Sequence, residues 1–125
     1  MKLEDIFEDI TPQELYTVER FANDLFNKLG VDVQFSAHFV QRVNDPRNKP
    51  GIYVDDLIDM FRKEYQQHGK DLAQLPGEAQ GVLRDAFTKL NLPFVITQRY
   101  GGKTLLAKST MRKKVFGTTS KMFTV

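Results

Sequence analysis

Between Thr11 and Phe35 the spacing of apolar residues changes from the helical period to strict alternation, with one glycine at the join. Leu15, Val18, Phe21, Ala22, Leu25, Phe26 and Leu29 recur at helical intervals, the pattern of a helix with one buried stripe. Thr11-Pro12-Gln13-Glu14 is a strong start for it. Thr11 caps, Pro12 stands where a missing N–H costs nothing, and Glu14 completes a capping box. Gly30 is a natural stop. Val31-Asp32-Val33-Gln34-Phe35 then alternates as a half-buried strand does. The apolar stripe therefore packs on a sheet, while Glu19, Arg20 and Asp24 fall outside it on a solvated face. Ahead of this helix, residues 1–10 read as a short acidic lead with room for one helical turn.

The strand runs into Ser36, a residue suited to capping a helix, and Phe39 and Val43 mark one side of that helix. His38 and Arg42, four residues apart, share another face about one turn apart. Histidine titrates near neutrality and arginine is a permanent planar anion binder, so the pair suits a phosphate site. The same spacing also fits an ordinary helix surface. Asn44-Asp45-Pro46-Arg47-Asn48-Lys49-Pro50-Gly51 is dense in turn formers, and its Arg47 and Lys49 stand close in sequence to His38 and Arg42. Val54, Leu57, Ile58, Phe61 and Tyr65 mark a further helix ending near Gly69. His68 then falls in its last turn, where the helix dipole favours a cation.

Pro76-Gly77 breaks the chain. Glu78 to Leu90 is open between helix and strand: Ala79, Val82, Leu83, Ala86, Phe87 and Leu90 fit a helix, and Gly81 weakens it. Leu92–Arg99 and Lys103–Arg112 read as two strands joined through Tyr100-Gly101-Gly102. Along an extended second strand, Lys108, Thr110 and Arg112 would project from one face. Val115-Phe116 and Met122–Val125 offer another short strand around Gly117–Ser120. The expected architecture is α+β, a single domain over residues 1–125 with N-terminal helices packed on a C-terminal antiparallel sheet.

Composition narrows the chemistry. At 125 residues and 41% hydrophobic the chain can bury one sizeable core. It has no cysteine, which excludes disulfides, thiolate metal sites and cysteine nucleophiles. His38 and His68 are the only histidines, too few for a zinc centre, so neither metal nor cofactor is expected. The N-terminus lacks the apolar run of a signal peptide and no stretch is long enough to cross a membrane, so a cytoplasmic protein with no membrane partner is expected. Residues 1–30 carry seven acids against three bases, whereas residues 86–125 carry eight bases and no acid. Such asymmetry suits a polyanion-facing half.

Three groups of residues carry a resemblance. They are Phe35-Ser36-x-His38-Phe39-x-x-Arg42-Val43-Asn44-Asp45-x-Arg47-Asn48, Asn91-x-Pro93-Phe94-Val95, and Ala107-Lys108-x-Thr110-Met111-Arg112-Lys113-Lys114. Together they resemble small uncharacterised bacteriophage proteins. More distantly, an aromatic-Ser-x-His helix start, a helix pair and a terminal antiparallel sheet resemble the barnase–EndoU–colicin–RelE superfamily, which includes the phage early-message endoribonuclease. The resemblance implies a RelE/barnase-like fold, metal-independent cleavage of RNA and, for a phage-encoded chain, the host cytoplasm. It carries His38 over as a catalytic candidate. Where the phage endoribonuclease has a second histidine on the following helix, this chain has Arg62, with His68 further on.

Metal-free RNA cleavage needs a base for the 2′-OH, an acid for the leaving 5′-oxygen, and cations against the phosphorane charge. His38 suits the base or acid, Arg42 and Arg112 a phosphate clamp, and Lys108 an electrostatic stabiliser or proton donor. Arg47, Lys49, Thr110, Lys113 and Lys114 are the expected RNA-binding residues. Two other classes stay open. One is a nucleic-acid-binding module without catalysis, although Phe94, Phe116 and Phe123 read as core and leave no stripe of exposed aromatics. The other is a structural or interaction protein with phage or host protein partners. A magnesium-dependent nuclease would draw instead on Asp55, Asp56 and Asp59.

Overall fold

The computed structural model describes residues 9–125, so the acidic lead lies, as far as Glu8, outside the described residues. The elements are α1 (Pro12–Asn27), β1 (Val31–Phe35), α2 (Ala37–Val43), α3 (Val54–Ala73), β2 (Gln80–Asp85), β3 (Leu90–Arg99), β4 (Gly102–Ala107), β5 (Met111–Arg112) and β6 (Lys121–Thr124). The class is α+β, as the residue pattern implies.

The sheet departs from the expected antiparallel one. Its order is β1-β4-β3-β2-β6, with β5 pairing β3. The β2–β3 and β3–β4 pairs are antiparallel, but β1 lies parallel to β4 and β6 parallel to β2. The N-terminal strand has thus been added to one edge of the C-terminal hairpin, a pairing no local pattern encodes. That edge is covered by α1, whose capping box forms as expected. Asn23 Oδ1 accepts the N–H of Val33 at 2.8 Å and Glu19 Oε2 accepts that of Phe35 at 2.7 Å. Glu19 therefore satisfies an edge strand rather than facing solvent, and the edge is closed to further pairing.

Residues 78–90 resolve as β2 and a turn, not a helix. Gly81 is the reason for the ambiguous pattern: a Cβ there would stand 2.6 Å from Phe94 Cζ and 3.1 Å from Phe123 Cε2. Only a glycine lets both rings close over the sheet. The helix expected to end near Gly69 continues to Ala73. Gly69 sits where a Cβ would meet Leu29 Cδ1 at 2.9 Å, so it permits close approach of α3 to the end of α1. His68 is consequently not in the last turn. Its Nε2 lies 2.9 Å from Thr124 O, tying α3 to β6.

The strand expected over residues 103–112 is broken. β4 ends at Ala107, residues 108–110 leave the ladder, and β5 resumes against Leu90 and Asn91. Pro93 explains the gap. It offers this edge a carbonyl, which accepts from the Lys108 N–H at 2.8 Å, but it has no N–H to return. Lys108, Thr110 and Arg112 thus do not share one strand face. Helices α1 and α3 pack on the sheet face formed by Leu83, Leu92, Phe94, Ile96, Leu105 and Phe123. The seven-residue α2 is too short to persist alone. Burial of Phe39 and Val43 holds it, worth about 1.5–3 kcal/mol for each side chain. Val115-Phe116 lies outside any strand, while β6 forms at the expected place. Among the described residues no helix is long and apolar enough to cross a membrane.

Candidate functional site

Ser36 places α2. Its Oγ accepts the N–H of Phe39 at 3.0 Å as a helix cap and donates to Lys108 O at 2.9 Å. Its N–H reaches Ala107 O at 3.0 Å. These bonds seat the helix start on the point where the chain leaves β4. Asn48 performs the same service at the other end. Its Nδ2 donates to Arg42 O at 3.0 Å, and its Oδ1 accepts the N–H of Arg112 at 2.9 Å. Helix α2 therefore lies across residues 109–113, and an open cleft of about 460 Å³ is left between them.

His38, Arg42, Asp45, Arg47, Ser109, Thr110, Arg112 and Lys113 line that cleft. Arg42 Nε donates to His38 Nε2 at 3.3 Å. Arginine has no acceptor, so His38 Nε2 takes the acceptor's place in this contact. Asp45 collects both arginines. Its Oδ2 is 3.1 Å from Arg42 Nη1 and 2.8 Å from Arg47 Nη2, and its Oδ1 accepts from Arg47 Nε at 3.0 Å. The Arg47 side chain first, then the Arg47 backbone N–H, holds the Asp45 carboxyl well below the usual carboxylate range against the opposing effect of burial. The same bond raises the pKa of Arg47. Four cations thus face one carboxylate that stays ionised, leaving the cleft electropositive. At its wall Thr110 is buried, and its Oγ1 has no hydrogen-bond partner among the described residues.

Six of the nine residues expected at the site therefore meet here: His38, Arg42, Arg47, Thr110, Arg112 and Lys113. Lys108 does not, since its Nζ turns to Gln80 Oε1 at 3.2 Å. Lys49 and Lys114 border a neighbouring groove whose wall is shared through Arg112. Arg112 lines the cleft chiefly as a brace. Its Nε donates to Pro50 O at 2.8 Å, its Nη2 to Gly51 O and Asp56 Oδ2 at 2.8 Å each, and its Nη1 to Thr88 O. Four of the five N–H donors of a guanidinium are so engaged. Asp56 is committed to Arg112 and Asp59 to Arg62, and no group of three metal-ligating side chains occurs among the described residues.

Two contributors were not read from the sequence. Asp45 organises the cations and Asn48 staples α2 to β5. The Asp45-x-Arg47 spacing was a usable signal, because an Asx turn brings the third residue back onto the carboxylate; Arg47 N donates to Asp45 Oδ1 at 2.9 Å. Comparison with protein-family models, with curated proteins and with solved structures finds no match to this chain.

Proposed function

We propose that the cleft under α2 binds the phosphate backbone of RNA and cleaves it without a metal ion. The observation that carries this reading is the His38 ring beside Arg42 and Arg47, in a cleft whose cations outnumber its one acid. His38 Nε2 is the base that takes the 2′-OH proton once Arg42 swings to the phosphate. The 2′-oxygen attacks phosphorus, the bond to the 5′-oxygen breaks, and a 2′,3′-cyclic phosphate results. Arg42 and Arg47 neutralise the phosphorane. Lys113 takes the part expected of Lys108, stabilising and protonating the departing oxygen. On this reading the helices and sheet are a variant of the RelE/barnase-like architecture, the chain is a phage-encoded endoribonuclease acting in the host cytoplasm, and the resemblance around Ser36-x-His38 supports both.

Purified protein in EDTA should cut RNA and leave 2′,3′-cyclic ends. His38→Ala should lose about 10²–10⁴-fold in rate, the usual share of general acid–base catalysis, while His68→Ala should cleave like the wild type. Equal activity of wild type and His38→Ala would sink the assignment.

A second reading, RNA binding without cleavage, is favoured by one observation. The cleft holds a single imidazole, with His68 bonded to β6 instead. Salt-sensitive binding with no cyclic product from the wild type would select it.

A further inference from the structure

We infer that the groove adjoining the cleft is a nucleobase-stacking subsite, so that the RNA taken by this protein is single-stranded. The inference rests on the reading of the cleft as a phosphate site and deepens it. Phe87 is 89% exposed at the tip of the β2–β3 turn, and Tyr53 is 40% exposed across the same groove. Lone exposed aromatics are common, but Phe87 is held out by a turn whose backbone is hydrogen-bonded on both sides. The buried Asp85 accepts the N–H groups of Phe87 at 2.9 Å and Thr88 at 3.1 Å through one carboxylate oxygen. Lys63 Nζ lies 2.6 Å from its other oxygen. Arg112 fixes the far side of the turn through Thr88 O. The backbone that carries the ring is thus tied down before a base stacks on it, which spares that part of the ordering cost.

Charge states what the groove receives. Lys49, Lys89 and Lys114 surround Phe87 and Tyr53, and the one acid in the lining, Asp56, is paired with Arg112. Aromatic faces ringed by cations suit alternating bases and phosphates, and every base offers a face to stack. Because Arg112 forms the wall common to groove and cleft, one strand can lay a phosphate beside His38 and a neighbouring base on Phe87. A duplex keeps its bases stacked within and cannot do so.

The test uses non-cleavable 2′-O-methyl RNA, ten nucleotides long and fluorescently labelled, and reads anisotropy. Phe87→Ala should weaken binding by roughly tenfold, the scale of one base–aromatic stack, whereas Phe87→Tyr should retain it. Binding of the matching duplex should be insensitive to Phe87→Ala. The chain has no tryptophan, so Phe87→Trp introduces a single reporter whose emission should be quenched by the single strand. Wild-type affinity in Phe87→Ala, or unquenched emission in Phe87→Trp with bound strand, overturns the subsite. If Arg47→Gln still weakens binding in that case, the reading of the cleft survives. If the wild type binds no strand at all, both fall together.

Discussion

Arg42 Nε donates to His38 Nε2 at 3.3 Å while Arg42 Nη1 reaches Asp45 Oδ2 at 3.1 Å. One guanidinium therefore bridges the histidine and a carboxylate that remains ionised. The helical spacing of His38 and Arg42 accounts for the first contact. The second depends on the turn after α2, where Asp45 N returns to Arg42 O at 3.0 Å.

Polyanion binding should report the cleft rather than the overall charge. In a plot of log affinity against log salt for single-stranded RNA, Arg47→Gln and Lys113→Gln should each flatten the slope by about 0.7–1. Lys103→Gln should leave it unchanged, because Lys103 Nζ is bonded to Ala73 O at 2.8 Å at the end of α3. Equal flattening by all three would show diffuse attraction without a cleft.

Arg112 should matter for stability before it matters for binding. Its side chain is 9% exposed and bonded to Asp56 and three carbonyls. Removing Arg112 leaves the partly buried Asp56 carboxylate and three carbonyls without their shared donor, so Arg112→Ala should cost about 1–3 kcal/mol in urea unfolding. Arg112→Lys should recover little, since an ammonium cannot span Pro50, Gly51 and Thr88 as a fork does. Recovery of full stability by lysine would contradict the bracing role.

Glu64, on α3, is fully buried, and its carboxylate oxygens have no hydrogen-bond partner by distance and angle among the described residues. Burial first, with the nearby Asp85 adding to it, pushes its pKa from 4.5 up to about 9 against the pull of the Arg84 backbone and Lys63. Between those values the folded protein holds a proton that the unfolded chain has released, so stability falls as pH rises across that window. Glu64→Gln should remove this slope and stabilise the protein at pH 8 by on the order of 1–4 kcal/mol, with little gain at pH 5. Thermal unfolding at the two pH values checks it. Parallel pH curves for wild type and Glu64→Gln would show that Glu64 does not titrate in this range.

Local pattern alone was enough for α1, its capping box, β1, the Ser36 cap, the start of α3 and the Tyr100-Gly101-Gly102 hairpin. Each depends on residues within a turn or two of one another, and the apolar period reports which side is buried. The pairing of His38 with Arg42 belongs to the same class. Tertiary structure decided the rest. Gly69 reads as a helix end and Gly81 as helix-weakening until Leu29, Phe94 and Phe123 arrive from distant elements to occupy the missing Cβ space. Lys108, Thr110 and Arg112 alternate in sequence, yet Pro93 on the neighbouring strand withholds the N–H that would keep them in one ladder. Phe87 shares the apolar pattern of the core and is nevertheless exposed, because Asp85 ties its turn outward. Side-chain spacing encodes which residues can share a face. Which faces meet, and so which cations surround His38, depends on a parallel edge strand and on Asn48 bridging 64 residues to Arg112, contacts that exist only once the sheet has closed.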